Sequence, residues 1–138
     1  MKIVLATHNK DKCLEMMDVL SNLNIELLTL HEFPHIGEII EDGATLKDNA
    51  LIKARSVHEL TKLPSLADDT GLEVEALGGA PGVFSARYSG ENASYSDNVN
   101  KLLKDMQNVP NGKRMAKFRT VMAFIDDKME LIVEGCVE

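Results

Sequence analysis

Apolar residues fall along this chain in two rhythms. One is the short alternating or continuous run of a strand, the other the three- and four-residue spacing of a helix. Lys2 to Thr7, KIVLAT, predicts a buried strand, and His8-Asn9-Lys10 breaks it. Cys13, Leu14, Met17, Leu20 and Leu23 then recur at helical spacing, so a helix is expected over roughly residues 10–22. Ile25 to Leu30 predicts a second strand, and residues 31–43 a loop with an acidic end at Glu38, Glu41 and Asp42. Thr45 has the chemistry of a helix N-cap, with Asp48 three positions on. Leu46, Ala50, Ala54, Val57 and Thr61 mark one face of the helix that follows, which ends before Pro64.

The next stretch organises the rest. Pro64 to Ala67 predicts a strand that stops at two adjacent carboxylates, Asp68 and Asp69. Thr70-Gly71 is expected to turn the chain before a further strand, Leu72-Glu73-Val74. Gly78, Gly79 and Gly82 then allow a loop whose backbone geometry side chains forbid. Ser94 or Ser96 starts another helix, through Val99, Leu102, Leu103 and Met106, which Pro110-Asn111-Gly112 ends. Ala116 to Ile125 and Glu130 to Val133 predict two strands joined through Asp126-Asp127-Lys128 as a hairpin. Strands and helices alternate over the first two thirds, which implies an α/β fold with a partly parallel sheet.

Composition narrows the class. A chain of 138 residues with 44% hydrophobic and 27% charged residues is expected to form one globular domain. It holds no apolar run long enough to span a bilayer, and no basic-then-apolar leader. Cys13 and Cys136 read as two free thiols in a reducing cytosol. The net charge of −7 argues against nucleic acid bound through a broad basic surface. A small phosphorylated ligand remains open, since a few lysines and a divalent cation meet its charge.

Two groups of residues have the chemistry for such a ligand. Thr7-His8-Asn9-Lys10-Asp11-Lys12 sits at a strand-to-helix junction, where free N–H groups and the positive end of the helix dipole favour phosphate. Thr7 and Asn9 can donate hydrogen bonds there and Lys12 adds a charge; the competing reading makes Asn9 an ordinary N-cap. Glu41, Asp68 and Asp69 offer hard oxygen ligands suited to Mg²⁺ at a phosphate site. A carboxylate beside the metal can also activate water. Asp69-Thr70-Gly71 spells the triplet of aspartic proteases, but the helical patterns contradict an all-β fold. Haloacid-dehalogenase phosphatases want two aspartates one residue apart after their first strand, and here the pair is adjacent and mid-chain. No histidine pair shows metal spacing, and His58 is expected on a helix surface.

Taken together, three ordered blocks resemble the Ham1/RdgB family of inosine triphosphate pyrophosphatases. They are Thr7-x-Asn9-x-x-Lys12, then Glu41-Asp42-Gly43-x-Thr45 leading to Asn49-Ala50-x-x-Lys53-Ala54, then LADDTGLEV-x-ALGGAPGVFSARYSG from Leu66 to Gly90. The resemblance implies an elongated mixed β-sheet flanked by helices and a cytoplasmic homodimer. It also implies Mg²⁺-dependent hydrolysis of ITP, dITP or XTP to the monophosphate and pyrophosphate. By motif, the segment Thr7, His8, Asn9, Lys10, Asp11 and Lys12 would hold the triphosphate. Asp69 would be the general base and, with Glu41, would bind the metal. Thr70 would contact substrate, and Lys53 would meet a phosphate. Partners other than the nucleotide and a second copy, namely nucleic acid or membrane, are not expected.

The family's chains continue past the point where this sequence stops. A Gly-Phe-Gly-Tyr-Asp-Pro type block and a later Ser-His-Arg type block, which grip the base in the family, have no counterpart in residues 1–138. The expectation is a single ITPase-like domain, incomplete at its C-terminus, with the phosphate and metal half intact. The alternative reading is a non-catalytic nucleotide or pyrophosphate binder.

Overall fold

The computed structural model describes residues 1–138. The elements in chain order are β1 (Lys2–Leu5), α1 (Lys10–Val19), β2 (Glu26–Thr29), α2 (Leu46–Thr61), β3 (Ser65–Val74), α3 (Tyr95–Asp105), β4 (Ala116–Ile125) and β5 (Glu130–Val137). Each helix starts where a side chain can replace its missing backbone partners. Asn9 caps α1, Thr45 caps α2 by accepting from the Asp48 amide, and Ser94 caps α3 in a reciprocal box with Asp97. The sheet is five-stranded, in the order β2-β1-β3-β4-β5.

β1 pairs in parallel with both β2 and β3, with Ile3 opposite Leu27 and Val4 opposite Ser65. The two crossovers, from β1 to β2 and from β2 to β3, therefore run in opposite directions across the sheet. Right-handed connections then put α1 on one face of the sheet and α2 on the other. β4 and β5, joined by a four-residue turn closed from the Asp126 amide to the Met129 carbonyl, are antiparallel as so short a connection requires. The expected α/β class with a mixed sheet is what the chain forms. The core is built on β1, where Val4, Leu5 and Ala6 are fully buried. Ala50, Ala54 and Val57 bring α2 onto the sheet, while Leu5, Cys13 and Met16 form a cluster under α1.

The chain forms two compact units, Met1–Asp68 with Val121–Val133, and Asp69–Thr120 with Glu134–Glu138. The first holds β1, β2, α1 and α2. In the second, Arg119 bonds to Glu73 and to Glu134, and the Thr70 and Thr120 hydroxyls bond at 2.9 Å.

Two expectations need correction. Thr70-Gly71 makes no turn: β3 runs unbroken from Ser65 to Val74. Gly71 is buried and stays out of the left-handed region that Gly78, Gly79 and Gly82 occupy, at φ of 68°, 94° and 54°. Strand pairing beside β4, where the Thr70 hydroxyl meets that of Thr120, outweighs the weak strand propensity of Asp and Gly. His58, expected on a helix surface, has a side chain only 17% exposed. Its Nδ1–H donates to the Leu63 carbonyl at 2.7 Å, and its other ring nitrogen lies 3.1 Å from the Asp127 carboxylate.

Candidate active site

In sheets with helices on both faces, ligands gather beyond the carboxyl ends of the strands, where successive crossovers diverge. That point here is the end of β1, flanked by β3. The last ladder bond between them runs from the Ala6 amide to the Leu66 carbonyl at 2.8 Å. Asp68 follows two residues later, 4% exposed, and the Thr7–Lys12 turn leads from β1 into α1.

Asp68 joins two lysines from two helices. Its Oδ2 is 2.9 Å from Lys12 Nζ, in the first turn of α1. Its main-chain carbonyl accepts from Lys53 Nζ, which comes from α2. Lys53 in turn lies 2.9 Å from Glu41 Oε1. Two ammonium groups thus meet two carboxylates and a carbonyl where one carboxylate and one lysine are buried. Charges in that position are tolerable only when paired. Asp68 also acts on the neighbouring thiol: burial pushes the Cys13 pKa up, and the Asp68 carboxylate raises it further.

Other predicted residues take less direct parts. The Thr7 hydroxyl accepts from the Asn9 amide at 3.1 Å, and Asn9 Oδ1 accepts from the Asp11 and Lys12 amides at 2.9 and 3.1 Å. Asn9 is therefore the N-cap that the competing reading described, and its oxygen is committed to the helix. His8 donates from Nε2 to the Gly37 carbonyl at 3.1 Å, tying the loop before Glu41 to this turn. Lys10 and Asp11 are exposed on the first turn of α1. A cavity of about 290 Å³ opens beside them, lined by Thr7, His8, Lys10, Cys13, Leu14 and His31 among others. Asp69 is half-buried, and as the next residue of β3 its side chain leaves the strand on the face opposite to that of Asp68. Thr70 bonds to Thr120 in the second unit.

Two residues hold the site in ways the sequence did not show. One is Asp68, offered by the sequence as a possible metal ligand and found here joined to two lysines. The other is Asn49, 1% exposed, whose Oδ1 accepts from the Gly43 amide at 2.8 Å and so fixes the loop two residues after Glu41. A Cβ on Gly43 would lie 2.6 Å from Asp48 Cβ and 2.7 Å from Asn49 Oδ1, so the loop approaches α2 as closely as only glycine allows. The signal was present: Leu46, Asn49, Ala50, Lys53, Ala54 and Val57 make one helical face, and Asn49 and Lys53 are its two polar members. Polar groups on a buried stripe have a partner to serve.

The match to known proteins covers nearly the whole chain. The model of the Ham1 family matches residues 3–138. The chain belongs to the Ham1 family. It is 47% identical over 137 residues to a dITP/XTP pyrophosphatase of Vibrio cholerae, spanning 97% of this chain and 68% of that protein. It is 43% identical to the dITP/XTP pyrophosphatase of Caldanaerobacter subterraneus, spanning 100% of this chain and 70% of that one. Among solved structures, a HAM1 protein from Coxiella burnetii superposes with a TM-score of 0.88 at 40% identity, over 99% of this chain and 70% of that one.

The family's members named as pyrophosphatases act on triphosphates, so the donor set can be tested against a divalent cation. Glu41, Asp68 and Asp69 offer hard carboxylate oxygens, but no three His, Cys, Asp or Glu side chains gather into a cage. Mg²⁺ is commonly held that way, by one or two carboxylates with the rest of its shell from water and substrate phosphates. Hard carboxylate oxygens are the donor chemistry that such a cation takes.

Proposed function

We propose that this chain hydrolyses noncanonical purine nucleoside triphosphates, dITP, ITP and XTP, to the monophosphate and pyrophosphate. The observation that carries the reading is the ion-pair constellation of Lys12, Asp68, Lys53 and Glu41 at the carboxyl end of β1, in a chain whose family members include dITP/XTP pyrophosphatases. Phosphate oxygens join Asp68 and Glu41 around the two ammonium groups, whose positions those contacts set before substrate arrives. The α1 N-terminus, through the Thr7–Lys12 turn, adds the favourable end of its dipole. Thr70 contacts the substrate from β3.

Asp69 takes a proton from the attacking water. The new bond forms to the α-phosphorus as the bond to the bridging oxygen breaks, and the electron pair leaves with pyrophosphate. Glu41 and Asp69 are the carboxylates that would hold Mg²⁺, which would supply charge neutralisation at the leaving group. The enzyme works as a cytoplasmic homodimer, as the family resemblance implies.

Incubation with dITP and Mg²⁺, followed by separation of products, tests the reading. The expected products are dIMP and pyrophosphate in equal amounts. Release of orthophosphate with dIDP places attack on the γ-phosphorus, and binding without products makes the chain a binder; either result overturns it.

A further inference from the structure

We infer that Asp68 is a positioning residue for phosphate recognition, one that sets the spacing of two cations through two different atoms. Its carboxylate fixes the ammonium of Lys12, and its main-chain carbonyl fixes that of Lys53. The inference rests on the proposed function, because it takes the triphosphate as the ligand of both lysines.

Lys12 and Lys53 belong to α1 and α2, which cover opposite faces of the sheet. No shared element holds them at a set distance, and each carries its charge on a flexible four-carbon stem. Asp68 removes that freedom. It sits on β3 beside the end of β1, 4% exposed, with its backbone immobilised by the sheet. Lys53 is additionally braced by Glu41 at 2.9 Å and its side chain is 11% exposed, whereas the Lys12 side chain is 29% exposed. Lys12 is thus the more mobile of the pair and depends more on the Asp68 carboxylate. Lys53 answers to a carbonyl that no side-chain substitution removes. Substitution of Asp68 should therefore act on ligand binding through Lys12 and leave Lys53 in place.

This asymmetry makes the inference testable by a double-mutant cycle. Calorimetry measures the Kd of inorganic tripolyphosphate and of deoxyinosine for the parent, Asp68→Asn, Lys12→Ala and the double variant. Asp68→Asn is expected to weaken tripolyphosphate about tenfold, the order typical of one lost charge contact. It should leave deoxyinosine unchanged, which a general loosening of the fold would not do. In the Lys12→Ala background the same change should add less than about twofold. Equal losses from Asp68→Asn in both backgrounds, with Lys12→Ala weakening tripolyphosphate, overturn this inference alone. An unchanged Kd for tripolyphosphate in Lys12→Ala takes Lys12 off the phosphates and overturns the underlying reading with it. Lys12→Arg supplies a second variant that leaves Asp68 intact. A cation set at one distance predicts a loss for tripolyphosphate near that of Lys12→Ala, and parental affinity in Lys12→Arg overturns positioning.

Discussion

The contact between Asn49 and Gly43 joins the stability of α2 to the placement of Glu41. Replacing Asn49 with alanine removes the acceptor for the Gly43 amide, now bonded at 2.8 Å in a half-buried loop. An amide left without a partner costs about 1–3 kcal/mol. Asn49 is also 1% exposed, so its loss leaves a small void that adds to the penalty. A total of about 2 kcal/mol is the expected loss. With an unfolding entropy of about 2.1 cal/mol/K per residue, a 138-residue chain loses roughly 7 °C in Tm for that change. The assay is a thermal melt by circular dichroism of Asn49→Ala beside Asn49→Leu. Leucine restores the volume but not the acceptor, so it too should melt several degrees below the parent. A leucine variant as stable as the parent would show that packing alone matters and would refute the hydrogen-bond argument.

Other consequences follow from the same contacts. Asp69→Asn should lower kcat by about 10²–10⁴-fold while nucleotide affinity survives, and near-parental turnover would remove Asp69 as the base. Gly43→Ala should raise the Mg²⁺ concentration needed for half-maximal activity, because the added carbon displaces the Glu41 loop from Asn49; an unchanged requirement separates that loop from the metal. Asp97 is held below its ordinary pKa by its bonds from Ser94, and Glu130 is held below its own by Arg55. A carboxylate with a depressed folded pKa stabilises the fold above its unfolded pKa and loses that contribution as pH falls. Urea midpoints should therefore drop below about pH 4.5, and less so in Arg55→Ala; equal acid sensitivity in the two proteins contradicts the assignment. Thiol labelling should modify exposed Cys136 quickly and buried Cys13, whose pKa is raised, only on unfolding; two equally fast thiols would count against the burial of α1.

Much of this was legible from the order of residues, and what was not has identifiable causes. Caps and stops survive translation into structure because they are local: Asn9, Thr45 and Ser94 each cap the helix that their side chains predict. The strand through LADDTGLEV was misread at Thr70-Gly71 because propensity is local while strand pairing is not. The chemistry of the Thr7–Lys12 and Glu41 segments was visible in residue types. The role of Asp68 was not, since only folding brings α1 and α2 to the same aspartate. His58 looked like a surface residue because its acceptors lie at Leu63 and Asp127, the second of them 69 positions away (127 − 58).

The central claim is that cations held at the end of β1 serve pyrophosphate release from a noncanonical purine nucleotide. The most direct test is a single-turnover experiment with dITP and, separately, dATP, at equal Mg²⁺, in ¹⁸O-labelled water. The account predicts that dITP gives dIMP carrying the label and unlabelled pyrophosphate, because water attacks the α-phosphorus, and that dATP reacts far more slowly. Label appearing in pyrophosphate, or equal rates for the two nucleotides, would contradict it.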